Sequence, residues 1–241
     1  FIILFIGIAF NQSIYGTGND GELSVSGTYE IDNVKTFVTG NTTIAGANYI
    51  TVDNASSFSI GDEILIITIQ DPTTPNLEYN TAGQFETHNI IDIVNQTLYL
   101  DNELLNNYDA SYDRKHQVQK IPNYTNVNIS GILTSSDWDG NVGGIIAFRV
   151  LGSLNIEYPN GSIIGDGRGF RGGSGNTYSG SPGYDGEGVL GYGNSENDNL
   201  NGGSNGGPSS PGNGGQSIGS NEMNKLFFGG GGGSSGSTWC N

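Results

Sequence analysis

The chain has 241 residues and carries 8 Lys and Arg against 24 Asp and Glu, a formal net charge of −16. Such a charge repels nucleic acid and anionic lipid and attracts cations, calcium above all outside a cell. Only 13% of the residues are charged and 34% are hydrophobic, which suits a β-type core better than a charge-rich disordered tail.

Taken in chain order, the first ten residues, FIILFIGIAF, form a nearly unbroken apolar run. It is too short to span a bilayer but fits the hydrophobic core of a signal peptide. Gly16 offers a cleavage position before the polar TGNDGE, so residues 1–16 read as a truncated signal peptide. The mature chain is then expected outside the cell or at its surface, without membrane insertion. A buried first strand is the alternative reading.

Residues 17–120 read as a strand-rich barrel or sandwich. NYITVDNASSFSIGDEILIITIQ holds two β-branched runs, 49–52 and 63–70, joined by a polar link that ends in Gly61-Asp62. HNIIDIVNQTLYL holds two more, split at Asn95-Gln96 in the manner of a hairpin. A further strand is expected at 117–121, before Pro122. No window keeps apolar residues at helical spacing for three turns, so helix is expected to be nearly absent.

Residues 121–170 carry a weak internal repeat. VNISGILTSS (127–136) and LNIEYPNGSIIGDG (154–167) share the order apolar-Asn-Ile, turn, then Gly and two apolar residues. A period near 27 residues of short strands suits the coils of a parallel β-helix, each rung burying one face on the next. The barrel is expected to sit on this stack or to be inserted into it. Residues 171–241 form a Gly-rich region. Of the 41 glycines, 26 fall in residues 165–241. Glycine offers no side chain to bury and loses the most backbone entropy on ordering, so no ordinary core can form there. Either the region is a spacer, or its backbones pack together in extended three-fold helices of the polyglycine II kind. Tyr178, Tyr184, Tyr192, Phe227 and Phe228 would be wasted in a pure spacer, which favours partial order.

Candidate chemistry is sparse. His88 and His116 are the only histidines, each in polar surroundings, and read as solvated residues at strand ends. Asp101 and Glu103 share one strand face at i and i+2, as a glycosidase pair or cation site requires, but flank an expected turn. Asp62-Glu63 is a second acidic pair. No catalytic residue is assigned. DWDGN places Asp137, Asp139 and Asn141 at alternating positions, the way calcium loops present oxygens, without the Gly and distal Glu of an EF-hand. These three are the candidate calcium ligands, and no other cofactor is implied. Asp109 with Asp113, and Asp185 with Glu187, are weaker candidates of the same kind. Trp138 reads as a core residue, with stacking on a sugar ring as the alternative. The lone Cys240 has no partner within the chain for a disulfide.

The order of these motifs resembles that of secreted, Gly-rich, adhesin-like surface proteins of Bacteroidota and other Gram-negative bacteria. The resemblance rests on ITVDNASSFSIGDEILIITIQ, VQKIPNYTNV, Trp138 to Phe148, and the run from Gly152 through GFRGG to the polyglycine tract. It implies a non-catalytic adhesive module whose partners are surface glycans, other surface proteins or its own kind, and it recasts Trp138 and the Gly-Gly after it as turn and packing residues. The expectation is an all-β protein, a small barrel or sandwich joined to a β-helix-like stack and followed by a Gly-rich region. A carbohydrate-active β-helix enzyme of the lyase or hydrolase sort, and a glycan- or calcium-binding accessory domain, are the alternatives. The enzyme would need clustered acids with Arg149, Arg168 or Arg171 on one rung face.

Overall fold

The computed structural model describes residues 15–40, 44–74, 79–173, 185–192 and 224–232. The signal-peptide reading, Cys240, Tyr178 and Tyr184 fall outside them or nearly so. The described chain is all-β, its one helical element a single 3-10 turn at Ser111–Asp113. No helix among the described residues is long and apolar enough to cross a membrane.

The scaffold is a stack of three parallel rungs. The first is made by β1 (Leu23–Val25) and β2 (Thr28–Glu30). The chain then leaves the stack and builds β3 (Lys35–Phe37), β4 (Tyr49–Thr51), β5 (Glu63–Gln70), β6 (Phe85–Val94), β7 (Thr97–Leu100) and β8 (Lys115–Lys120). It returns as the second rung, β9 (Asn123–Tyr124), β10 (Val127–Ile129) and β11 (Ile132–Thr134). The third follows directly as β12 (Arg149–Val150), β13 (Leu154–Ile156) and β14 (Ser162–Ile163). Leu23, Val127 and Leu154 stand in one column, and Val25, Ile129 and Ile156 in the next but one. The apolar side chains of Val25, Val127 and Ile129, with Ile31, Tyr124, Leu133 and Ile146, fill the inside of the stack, and Leu23 packs against them. Between those columns Asn155 donates to Asn128 at 2.6 Å on the outer face.

The excursion forms a six-stranded antiparallel sheet in the order β3-β8-β5-β6-β7-β4. It curls until its edge strands meet at one antiparallel bridge, Val38 opposite Val52, with N–H···O bonds from Thr39 to Thr51 and from Asp53 to Phe37. Alternate residues point inward, so Ile50, Ile64, Ile66, Ile90, Leu98, Leu100 and Val118 make a barrel core. The hairpin β6-β7 turns at Asn95, whose φ of 54° is the left-handed conformation an Asn tolerates.

All eight residues of β5 are buried. Ile64 and Ile66 serve the barrel, while Leu65, Ile67 and Ile69 pack outward on Trp138, Ile145 and Ala147 of the stack and on Phe170, Val189 and Phe228. Trp138, Phe170 and Phe228 meet edge to face with ring centroids 5.2 to 5.9 Å apart. This second core ties barrel, stack and Gly-rich segments together.

The described Gly-rich segments are ordered by backbone contacts. Three of them form a triangle of N–H···O bonds: Glu187 to Arg171, Gly231 to Glu187, and Gly173 to Gly232, each at 2.8 Å. A Cβ on Gly186 would collide with the Gly231 carbonyl, and one on Gly231 with the Arg171 carbonyl. Glycine is therefore required at these two positions by close backbone approach. β15 (Glu187–Gly188) and β16 (Gly191–Tyr192) close a short hairpin beside it.

One boundary differs from the sequence reading. Residues 17–31 were expected to open the barrel but supply the first rung, because β1 and β2 find their partners in β10 and β11. The chain exits at Ile31-Asp32 and re-enters at Ile121. Asp32, fully buried, accepts from the Ser136 N–H and hydroxyl at 2.7 and 2.8 Å and holds the exit onto the second rung.

Rung corners are tight enough to read out by mutation. A Cβ on Gly131 would run into the Gly27 carbonyl of the rung beneath, whereas one on Gly27 would meet open space. Gly131→Ala is expected to cost about 1–3 kcal/mol, the usual range for overpacking. Gly27→Ala should leave the midpoint of urea unfolding nearly unchanged.

Candidate functional site

Where the barrel meets the stack, the turn before β5, the start of β9 and the start of β12 enclose a cleft of about 450 Å³. Its wall holds three carboxylates, Asp20, Asp62 and Glu63, together with Asn19, Asn89 and Asn123. Glu63 is carried by the first position of β5, whose odd residues face the stack, so its carboxylate reaches Arg149 across the junction. Arg149 Nε lies 2.9 and 2.8 Å from the two Glu63 oxygens and Nη2 2.6 Å from Oε1, and the Asn123 amide adds a bond of 2.9 Å to Oε2. Such a forked pair fixes orientation as well as charge.

Lys120, the last residue of β8, bridges the other two acids, with Nζ 2.7 Å from Asp20 Oδ1 and 2.8 Å from Asp62 Oδ1. Partial burial pulls its ammonium pKa down, but hydrogen bonds and charge from Asp20 and Asp62 outweigh this and raise it. The remaining oxygens are also engaged: Asp20 Oδ2 accepts the Asn123 N–H at 2.7 Å and Asp62 Oδ2 the Ser59 N–H at 2.8 Å. Every carboxylate oxygen in the cleft therefore has a donor from the protein itself. Thr17 and Asn19 offer hydroxyl and amide groups, Asn89 stands beside them with its Nδ2 donated to Asp101, and Ile60, 64% exposed, adds an apolar rim.

The candidate calcium ligands share one loop but turn to separate partners. Asp137 pairs with Arg168. Asp139 Oδ1 accepts the N–H groups of Asn141 and Val142 at 2.7 and 2.9 Å, a turn an Asp closes by itself, and Asn141 enters through its backbone. Among the described residues no three His, Cys, Asp or Glu side chains gather as a metal centre would. Trp138 is buried, as its sequence context suggests, and donates Nε1–H to Glu187 at 3.0 Å. Glu187 also accepts from Gln70 at 3.0 Å and from Arg171 Nε at 2.8 Å. Burial pushes its carboxyl upward, yet the bonds from Arg171 and Trp138 hold it below the ordinary range. It anchors the glycine segments to the barrel.

The histidines are not solvated, contrary to the sequence reading. His88 and His116 are 4% and 1% exposed, because both sit on inward positions of the barrel strands. His88 Nε2 lies 2.8 Å from Glu86 Oε2, with Nδ1 3.5 Å from Asp101. Asp101 itself accepts from Asn89 N and Nδ2 at 3.1 and 2.8 Å. His116 Nε2 faces the Asp109 carbonyl at 3.0 Å and must donate, so Nδ1 accepts from the Thr68 hydroxyl at 2.9 Å. Burial lowers its pKa to about 4.

The junction cleft escaped sequence reasoning. Glu63 and Arg149 lie 86 positions apart, and Lys120 and Asp20 100 apart. The acidic pair Asp62-Glu63 was the one local signal.

No family model matches the chain, and no curated protein matches it. Among solved structures it is similar to three phage tailspikes. Gp54 of Acinetobacter baumannii bacteriophage AP22, solved with A. baumannii capsular saccharide, is 12% identical over 60% of this chain and 26% of its own, with a TM-score of 0.33. Gp61 of Pseudomonas phage phi297 is 13% identical over 54% and 24%, TM-score 0.32. Gp49 of Pseudomonas phage LKA1 is 15% identical over 48% and 23%, TM-score 0.29. The chain thus spans about a quarter of each tailspike, and likeness at this level assigns no activity.

Two outcomes follow from the electrostatics. Arg149→Met strands a buried carboxylate and is expected to cost about 3 kcal/mol, while adding Glu63→Gln restores much of the loss; urea denaturation of the double-mutant cycle measures this. Between pH 6.5 and 4 the unfolded chain binds a proton at His116 that the folded barrel refuses, so stability falls as pH drops through that window. Below about pH 4 the depressed carboxyls of Glu187, Glu86 and Asp71 add a further loss. His116→Gln should flatten the upper part of the profile, read as denaturation midpoints at pH 7, 5.5 and 4.

Proposed function

We propose that the chain is an exported structural and adhesive module of a cell surface, without a reaction centre, and that the junction cleft is where it contacts a glycan. The observation that carries this reading is the saturation of the cleft carboxylates: Asp20, Asp62 and Glu63 are each held by Lys120 or Arg149 and by a further donor. A general base or nucleophile needs a lone pair turned toward the ligand, and these point into the protein. What remains available, Asn and Thr side chains beside an apolar rim, suits hydroxyl-rich rings. A net charge of −16 favours neutral over uronic or sulfated saccharides. The resemblance to Gly-rich surface proteins of Bacteroidota supports the surface setting.

The reading is tested by calorimetry against panels of neutral and acidic polysaccharides, with product analysis of the same mixtures. Binding to neutral members, weakened about three- to tenfold by Asn19→Ala or Asn89→Ala, is the expected result. New reducing ends or unsaturated products would replace adhesion with catalysis.

A further inference from the structure

Among the described residues His88 Nδ1 is a buried polar atom without a hydrogen-bond partner, on a residue only 4% exposed. The other ring nitrogen, Nε2, lies 2.8 Å from Glu86 Oε2. Burial pushes the Glu86 carboxyl up, but the bonds from His88 and from the N–H groups of Leu105 and Asn106 outweigh this and hold it below its ordinary range. An ionised carboxylate only accepts, so Nε2 carries the imidazole proton. Nδ1 is left with a lone pair turned toward Asp101 Oδ1, 3.5 Å away. Two acceptors face each other there, and a buried acceptor without a donor is costly.

The other groups around the ring are already settled. Ile64 of β5, opposite His88, carries no charge, and beyond it Lys120 of β8 is held by Asp20 and Asp62. Burial, reinforced by the charge of Glu86, pushes the Tyr108 phenol up and keeps it neutral. His116 of β8 stands edge-on to Tyr108 at 5.6 Å, and burial lowers its pKa to about 4, so it is neutral above pH 5. Asp101 differs from these because it reaches the cleft. Its Oδ1 accepts the Asn89 N–H at 3.1 Å and its Oδ2 the Asn89 Nδ2 at 2.8 Å, and Asn89 lines the cleft wall. His88 and Asn89 are successive on β6 and point to opposite faces, so Asp101 stands between the barrel interior and the cleft.

We infer that His88 is a proton-operated latch on the cleft, regulating there the glycan contact proposed above. A proton taken from solvent at Nδ1 turns the facing acceptors into an N–H···O bond to Asp101. Such a charge-assisted bond has a usual length of about 2.7–2.9 Å, so the gap closes and the carboxylate is drawn inward. Its Oδ2 withdraws from Asn89 Nδ2, and the amide is released toward a ligand. The ring becomes an imidazolium with both N–H groups on carboxylates, and the orphaned nitrogen gains its partner. Proton uptake is favoured as pH falls, so the cleft gains an amide donor in mild acid and loses it in alkali. The regulation rests on the glycan reading of the cleft; the latch itself does not.

Nitrogen-15 NMR of the whole chain between pH 8 and pH 5 follows the His88 ring and the Asn89 side-chain amide together. The expected result is one shared transition, in which Nδ1 gains a proton and the Asn89 amide signal moves with it. Asp101→Asn offers an amide N–H to the Nδ1 lone pair, satisfies it without a proton, and should abolish that transition. His116→Gln should leave it in place. Calorimetry with the neutral polysaccharides at pH 8 and pH 5.5 should show affinity rising about three- to tenfold toward acid, the worth of one hydrogen bond. The rise should persist in His116→Gln and vanish in Asp101→Asn and Asn89→Ala. A His88 ring whose protonation does not change over this range, or an Asn89 amide indifferent to it, overturns the latch. Ring and amide moving together under an unchanging affinity overturns the regulation. Absence of any glycan binding, with the shared transition intact, overturns the glycan reading and leaves the latch standing.

Discussion

Everything in this protein depends on two short strands finding partners 104 positions further along the chain. β1 and β2 contribute six residues to the first rung, and the parallel ladder with β10 and β11 holds them there. Closing so long a loop costs entropy that grows slowly with length but is large at the outset. The barrel offsets part of it by folding on its own hydrogen bonds, which brings Ile31 and Ile121 to neighbouring points. Asp32, held by Ser136, and Lys120, whose N–H reaches the Val34 carbonyl, then fix exit and entry together.

Two buried arrangements turn this topology into one solid body. β5 is apolar on both faces because its alternate residues belong to two cores, which explains why EILIITIQ reads as an unbroken run rather than an alternation. Glu187 does by hydrogen bonding what β5 does by burial, since its carboxylate joins Gln70 of the barrel strand, Trp138 of the stack and Arg171 of the glycine segments. The glycines around it contribute nothing to a core. They let three backbones approach until their own amides and carbonyls pair.

The sequence made local features legible and left distant ones hidden. β5, the hairpin at Asn95-Gln96 and the repeat near 27 residues each announce themselves within a short window. They emerge as a full-length strand, a turn with left-handed Asn95, and the ladder Val127–Leu154. The first rung did not, because LSV and TYE are unremarkable until the partner strand is known. The histidines were misread for a related reason. In FETHNII the polar Glu86 and His88 occupy inward positions while Phe85 packs on the outer core, so hydrophobicity alone points the alternation the wrong way. What admits them is mutual pairing inside the barrel. The cleft at the junction required the assembled fold, since its acids and their cations come from four separate segments.

The insertion has a mechanical consequence. Tension applied along the chain enters at the first rung and would next load the barrel, were it not that rungs one and two are stitched by the parallel ladder and by the Asp32 clasp. Force therefore crosses from rung to rung and bypasses the barrel residues between Asp32 and Ile121, which begin to stretch only after those stitches part. A tether that carries its side domain off the line of pull keeps that domain, and any cleft it shapes, intact while the strand of stacked coils bears the strain.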